Sequence, residues 1–264
     1  ETVSNQMGIA MSGLPDRQPS SAVRPRAERH SGARAAVQPA ATTAPAVVPQ
    51  TRAERGRRIL NIVLASIALV LVLPLMALIA VLIKLTSRGP VFYTQVRVGL
   101  DRRSNRIDAT NHRRSADIGG LPFRIYKFRT MRVDAEQGTG AVWAAQSDPR
   151  VTVVGGFLRR YRFDELPQLL NVIRGDMNIV GPRPERPTIF AELRENIQEY
   201  PLRQRAKPGI TGLAQINHHY DSCIEDVRTK VRYDLEYIGR QGVAEDLKIM
   251  FKTIPVILFR RGGW

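Results

Sequence analysis

The segment Ile59–Ile83, "ILNIVLASIALVLVLPLMALIAVLI", decides how this chain folds, because it holds 25 residues without a charge. A helix needs roughly 20 consecutive apolar residues to cross the hydrocarbon core of a bilayer. By length alone, the segment therefore predicts one helix that spans a membrane. The remainder of the chain must fold around a segment that avoids water.

Pro74 and the flanking charges favour a different course for this segment. A proline inside a helix removes a backbone hydrogen bond and kinks the helix, and neither limb around Pro74 could cross a bilayer alone. Both flanks are basic, with Arg57 and Arg58 before the segment and Lys84 and Arg88 after it. Because basic flanks prefer the cytoplasmic side, we expect a re-entrant helix, broken at Pro74, that enters and leaves by one face.

The composition on either side of this segment predicts three parts. Residues 1–55 are rich in Ala, Pro, Ser, Gln and Arg and contain no aromatic residue, so they cannot bury enough apolar surface to offset the entropy of ordering. We expect a disordered basic tail at 1–55, a re-entrant membrane hairpin at 56–88 and a cytoplasmic domain at 89–264.

The formal net charge of +16 admits three kinds of partner. Nucleic acid, an anionic membrane surface and phosphorylated substrates all attract a basic protein. The apolar segment favours the membrane among them. The chain has one cysteine, Cys223, which excludes an intrachain disulfide and a cysteine-based zinc site.

Two stretches, 90–99 and 121–131, are rich in β-branched and aromatic residues and predict strands. The alternation of side chains along the second strand places Lys127 and Arg129 on one face. The two cations would then lie about 7 Å apart, a spacing that suits two phosphates of one ligand. A solvated strand end explains the same charges, so both interpretations stay open.

The adjacent acids Asp164 and Glu165 pose the main functional question, because they stand in a segment crowded with arginines. The stretch 164–174 predicts a short helix, since its apolar residues fall on one face. Acids at the start of a helix accept hydrogen bonds from free N–H groups and interact favourably with the positive end of the helix dipole. The residues alone therefore allow a structural cap or a salt-bridge partner as well as a metal ligand or a nucleophile.

Two later stretches also predict helices. Residues 224–238 carry apolar side chains at helical spacing, which is typical of a core-packing helix. Residues 246–261 are apolar and basic, with Pro255 expected to interrupt them. That stretch suits either the membrane interface or the protein core.

Four motifs occur in order along the chain: "PVFYTQVRVG" (90–99), "YKFRTM" (126–131), "DELPQLLNVIRGDMNIVGPRP" (164–184) and "PGITGLAQIN" (208–217). With these motifs, the chain from about Arg57 to Trp264 resembles the bacterial polyprenyl-phosphate phosphoglycosyl transferases of the monotopic kind. The resemblance implies an α+β fold at the cytoplasmic face of the bacterial inner membrane. Its expected parts are a re-entrant helix broken at Pro74 and a compact domain of helices with a short β-hairpin. A Ser often precedes that proline in the family, whereas Leu73 stands here.

The resemblance also implies a reaction, in which a sugar 1-phosphate passes from a nucleoside diphosphate sugar, expected to be a UDP-sugar, to undecaprenyl phosphate. The family's catalytic pair falls on Asp164, which would form a covalent aspartyl-phosphosugar and release UMP, and on Glu165, which would bind Mg²⁺. Phosphate or nucleotide binding is expected of Lys127, Arg129, Arg159 and Arg183. Membrane lipids are expected partners, nucleic acid is not, and an oligomer is left open. The reaction would initiate exopolysaccharide, O-antigen or related glycan synthesis.

Two other functions remain as alternatives at this point. A Mg²⁺-dependent hydrolase of nucleotide sugars could use the same residues with water as the acceptor. A membrane-tethered protein that binds nucleic acid or regulates another protein would use the basic tail and the polar loop 101–120, but it leaves the motif at 164–184 unexplained.

Overall fold

The computed structural model of the protein describes residues 52–101, 119–133, 135, 148–218 and 223–258. Most of the predicted tail, up to residue 51, and most of the loop 101–120 lie outside the described residues. The regular elements in chain order are α1 (Arg52–Thr86), β1 (Phe92–Val98), β2 (Pro122–Phe128), α2 (Val153–Arg160), α3 (Gln168–Arg174), β3 (Asn178–Val180), α4 (Pro187–Asn196), β4 (Gly209–Thr211), α5 (Leu213–Asn217), α6 (Ile224–Arg240) and α7 (Val243–Leu258). Two 3₁₀ segments, Phe163–Glu165 and Tyr200–Arg205, complete them. The result is a mixture of helices and two small sheets.

Helix α1 is continuous over 35 residues and includes Pro74. A proline deletes one hydrogen bond and leaves the others in place, so the helix passes through this residue. The structure therefore does not confirm the helix break predicted there. Among the described residues, α1 is the one helix long and apolar enough to cross a membrane.

The two ends of α1 pack against the rest of the described protein more deeply than its middle does. The buried residues of α1 are Arg57, Asn61 and Ala65 near its start and Met76, Ile79 and Ile83 near its end. No side chain between residues 66 and 75 is fully buried. On the opposite face, large apolar side chains such as Val70, Leu71 and Leu85 are more than two-thirds exposed, at 71, 74 and 78%.

Strands β1 and β2 form the predicted antiparallel hairpin, with Tyr93 opposite Lys127. Helix α3 is fixed to this hairpin by Asn171, a fully buried side chain. Its amide nitrogen donates to the carbonyl of Arg124 at 2.7 Å, and its amide oxygen accepts from the backbone N–H of Tyr126 at 3.0 Å. One side chain thus ties α3 to the strand that carries Lys127.

Strands β3 and β4 form a short parallel pair, and the "GPRP" segment follows β3 directly. Gly209 allows this close approach, because a Cβ atom there would lie 2.1 Å from the backbone nitrogen of Gly181. Helices α6 and α7 confirm the two predicted C-terminal helices. Pro255 lies inside α7 and does not interrupt it, contrary to expectation. The carbonyl that loses its partner belongs to Phe251, which is 69% exposed, so water can replace the missing donor.

Candidate active site

The acid pair lies in a tight turn between α2 and α3. Arg162 begins the turn with φ +60°, the one positive φ of a non-glycine residue among those described, and the 3₁₀ segment Phe163–Glu165 follows. Helix α3 begins only at Gln168 because Pro167 occupies its N-cap, so the helix predicted from residue 164 was placed too early. No side chain caps either element, and the structure therefore does not support a capping role for the acids.

Both acids are buried, with Asp164 7% and Glu165 6% exposed. A buried carboxylate is tolerated when cations compensate it. The carboxylate oxygen Oε1 of Glu165 accepts from Lys127 Nζ at 2.9 Å and from Arg183 Nη2 at 2.7 Å, with Arg162 Nη1 at 3.8 Å. The nearest cation to Asp164 is again Lys127, at 3.7 Å from Oδ2. The cations thus lie closer to the carboxylate of Glu165 than to that of Asp164.

The two carboxylates consequently shift in opposite directions. Burial raises the pKa of Asp164, the charge of Glu165 raises it further, and Lys127 opposes both only in part. Burial alone would also raise the pKa of Glu165, but Arg183, Lys127 and Arg162 together hold it well below its usual value. Adjacent carboxylates whose environments separate their pKa values usually have different chemical roles. The lowered pKa of Glu165 favours its ionised form, whereas Asp164 carries the less stabilised and more basic carboxylate.

The structure brings two of the predicted phosphate-binding residues, Lys127 and Arg183, to the acid pair, and directs the other two elsewhere. Strand β2 ends at Phe128, so Arg129 does not continue its alternation. The Arg129 guanidinium donates to the Ser87 hydroxyl at 2.7 Å and to the Ser87 carbonyl at 3.0 Å, just beyond the end of α1. Arg159 donates through Nε to Thr130 Oγ1 at 3.0 Å.

Sequence analysis missed Arg97, which lines the same small cleft as Lys127, Glu165 and Arg183. Its guanidinium donates to the carbonyl of Pro184 at 3.2 Å and to Gln95 Oε1 at 2.7 Å, while its buried Nε has no hydrogen-bond partner among the described residues. Burial lowers the pKa of Arg97 to about 10, so it remains protonated at neutral pH. A charged arginine inside a strand was the signal for this buried site.

The acids fit a shared magnesium ion better than a self-contained metal centre. The described residues contain no group of three or more His, Cys, Asp or Glu side chains placed to hold a metal. Mg²⁺ commonly takes one or two protein carboxylates and completes its shell with water and substrate phosphates. Asp164 and Glu165 are the two carboxylates of this site, and Glu165 would be the ligand expected from the sequence.

Comparison with known proteins supplies the context for this site. The sequence model of the family described as "Bacterial sugar transferase" matches residues 52–260. The UDP-glucose:undecaprenyl-phosphate glucose-1-phosphate transferase of Escherichia coli (strain K12) is 42% identical over 200 residues, which cover 75% of this chain and 39% of the relative. An Aeromonas hydrophila protein named UDP-N-acetylgalactosamine-undecaprenyl-phosphate N-acetylgalactosaminephosphotransferase is 43% identical over 202 residues, covering 76% of this chain and 43% of that protein.

A shorter relative aligns over more of its own length. The UDP-glucose:undecaprenyl-phosphate glucose-1-phosphate transferase of Caulobacter vibrioides is 38% identical over 213 residues, which cover 80% of this chain and 73% of the relative. The chain thus spans about two fifths of the length of the Escherichia coli and Aeromonas relatives. The family match includes the acid pair, Lys127 and Arg183. On these grounds, the chain belongs to the bacterial sugar transferase family.

Proposed function

We propose that this protein transfers a sugar 1-phosphate from a UDP-sugar to undecaprenyl phosphate and releases UMP, at the cytoplasmic face of the bacterial inner membrane. One observation carries the proposal: a buried aspartate with a raised pKa lies beside a glutamate that three cations surround. The names of the relatives, which pair UDP-sugars with undecaprenyl phosphate, support the choice of substrates. The product would start the assembly of an exopolysaccharide or a related glycan.

In the proposed mechanism, Lys127 and Arg183 bind the diphosphate of the donor, and Arg97 adds a third positive charge in the same cleft. The Asp164 carboxylate attacks the β-phosphorus, and the bond from that phosphorus to the oxygen bridging it to the α-phosphate breaks. UMP leaves with that oxygen, and an aspartyl-phosphosugar remains. An oxygen of undecaprenyl phosphate then attacks the same phosphorus and releases Asp164.

Glu165 supports this chemistry without reacting. Its low pKa keeps it ionised, so it holds Lys127 and Arg183 in place between turnovers. Glu165 would hold Mg²⁺, which would neutralise charge that develops on the donor phosphates. Because the cations contact Glu165 more closely than Asp164, the nucleophile is not locked in a strong ion pair.

The attachment of α1 supports a re-entrant topology. At its start, Arg57 Nε donates to Asp246 Oδ2 of α7 at 2.9 Å, and just past its end Ser87 is held by Arg129. Both ends of the helix therefore bind one domain, which opposes their separation to opposite sides of a bilayer. The less buried middle, which contains Pro74, would be the part that enters the lipid.

Helix α7 supports the same membrane orientation. Four of its apolar side chains, Val243, Leu247, Phe251 and Ile254, recur at helical spacing and are 36–69% exposed. Asp246 on the neighbouring face binds Arg57 of α1. We accordingly place α7 in the membrane interface, with its exposed apolar stripe towards the lipid.

The topology predicts the labelling of single cysteines in intact cells. Ser20→Cys, in a Cys223→Ser background, would report on the chain before α1, and the native exposed Cys223 would report on the domain. We expect both thiols to react only with reagents that reach the cytoplasm. Labelling of the Ser20→Cys variant from outside the cell would show that α1 spans the membrane, provided that Cys223 of the unmodified protein reacts only from the cytoplasm.

A panel of UDP-sugars, with Mg²⁺ and undecaprenyl phosphate, tests the function itself. We expect sustained UMP release for one or a few sugars when the acceptor is present. Without acceptor, release should stop after about one equivalent per enzyme, because the covalent intermediate has no partner. Sustained UMP release without acceptor would identify a nucleotide-sugar hydrolase instead.

A further inference from the structure

The loop 181–185, "GPRPE", has no regular secondary structure, yet other parts of the protein hold its carbonyl groups one by one. Pro182 O accepts from Gly209 N at 3.0 Å, Arg183 O from Arg203 Nη2 at 3.1 Å, Pro184 O from Arg97 Nη1 at 3.2 Å and Glu185 O from Val98 N at 2.9 Å. The two prolines have no N–H to satisfy, and their rings fix φ. The backbone beneath the Arg183 side chain is therefore immobilised from several sides.

Of the two side-chain donors, Arg203 is more deeply buried than Arg97, with a side-chain exposure of 0%, and its partner Asp234 is 1% exposed. Each of its three guanidinium nitrogens has a separate partner. Nε donates to Asp234 Oδ2 at 2.6 Å, Nη1 donates to Tyr200 Oη at 2.7 Å, and Nη2 reaches the carbonyl of Arg183. A planar guanidinium fixes the angles between these three bonds, which a lysine ammonium cannot do.

The energetics of buried ion pairs point to a role beyond stability. Well-packed apolar residues often stabilise a core as well as a buried ion pair does, or better, because desolvation offsets the attraction. A contribution to folding stability alone therefore does not account for burying the ion pair between Arg203 and Asp234. What Arg203 adds is one fixed bond to the residue whose side chain contacts Glu165 at 2.7 Å.

We propose that Arg203, oriented by Asp234, is a positioning residue that holds the backbone of Arg183 so that its guanidinium is preset for the donor phosphates. This role rests on the proposed function, because it gives Arg183 a phosphate to bind. The Arg183 side chain is 34% exposed and can meet a ligand while its backbone stays fixed. Displacement of a substrate-positioning group by about 1 Å can cost roughly a hundredfold in rate, so the anchor matters.

Arg203→Lys tests this role with UDP as the probe, in the presence of Mg²⁺. Lysine keeps a positive charge beside Asp234 but cannot donate to all three partners in the same geometry. We expect UDP affinity to fall by roughly tenfold, and the KM for the UDP-sugar to rise more than kcat falls. Asp234→Asn should cause a smaller loss in the same direction, and it keeps the test open if Arg203→Lys folds poorly.

A double-mutant cycle with Arg183→Ala separates positioning from general stability. If Arg203 acts through Arg183, then Arg203→Lys should weaken UDP binding in the wild type and have no further effect in Arg183→Ala. Val231→Ala is the matched control, since Val231 is buried on α6 one turn before Asp234. It should lower the melting temperature and leave UDP affinity unchanged.

Four outcomes would overturn the proposal. Unchanged UDP affinity in Arg203→Lys, or an additive loss in the double variant, would make Arg203 a packing residue only. A loss of UDP affinity in Val231→Ala equal to that in Arg203→Lys would attribute the effect to destabilisation. Unchanged UDP affinity in Arg183→Ala would show that Arg183 does not bind the donor phosphates, and Arg203 would then have no positioning role.

Discussion

Asp164→Asn is expected to abolish UMP release, with a loss of at least about 10³-fold, and at the same time to make the protein more stable. The loss follows because an amide cannot attack phosphorus to form the acyl phosphate, and removing a catalytic nucleophile commonly has an effect of this size or larger. The gain follows from the environment of the carboxylate. Burial and the neighbouring Glu165 raise its pKa, so the folded protein disfavours its ionised form.

The sign of the pH dependence distinguishes this explanation from a generic effect of the substitution. Since the folded pKa of Asp164 lies above the unfolded value, wild-type stability falls as pH rises from the unfolded value through the folded one. Asp164→Asn lacks this dependence, so its melting temperature should exceed that of the wild type above this window and approach it below. Thermal unfolding from pH 3 to pH 8 measures the difference. Residual activity within tenfold of the wild type would exclude Asp164 as the nucleophile.

Glu165→Gln is expected to be inactive and less stable, which is the opposite stability effect from the adjacent residue. Lys127 and Arg183 lose the carboxylate that both contact, and removing one partner of a buried ion pair costs about 3–5 kcal/mol. The lower end, about 3 kcal/mol, applies here because Arg183 is about a third exposed and solvent screens its charge.

The pH dependence for Glu165 has the reverse sign. Its folded pKa lies well below the usual value, so the stability it contributes is present above the unfolded pKa and is lost as pH falls through the folded pKa. The deficit of Glu165→Gln should thus be full at pH 7 and shrink in strong acid. Glu195→Gln, an exposed change on α4, controls for the loss of one negative charge. Equal melting temperatures for Glu165→Gln and the wild type at pH 7 would contradict the ion-pair assignment.

The elements that local periodicity encodes were predictable from the sequence. The long apolar helix, the β1–β2 hairpin and helices α6 and α7 all follow from the spacing of apolar and β-branched residues. The turn before α3 was not predictable in this way. The positive φ of Arg162 and the N-cap position of Pro167 depend on the packing of α2 and α3 around the turn, which no single periodic pattern records.

The residues of the candidate site that belong to a sequence motif were predictable. Contacts between residues far apart along the chain were not. Asp164, Glu165, Lys127 and Arg183 came from quoted motifs, and the structure brings them together. The bond from Arg97 to Pro184 joins residues 87 positions apart, so it exists only once the hairpin has packed on the loop. Arg129 shows the converse, because strand alternation placed it in the site and the end of β2 removed it.

The left-handed backbone of Arg162 has a consequence for the history of this protein. A non-glycine residue in that conformation costs of order 1 kcal/mol, which Gly or Asn would largely avoid. Selection for heat tolerance alone would therefore favour Gly or Asn at this position, and each would remove the positive charge 3.8 Å from Glu165. Selection for catalytic activity should retain the strained Arg162, whereas selection for thermal stability alone should replace it early.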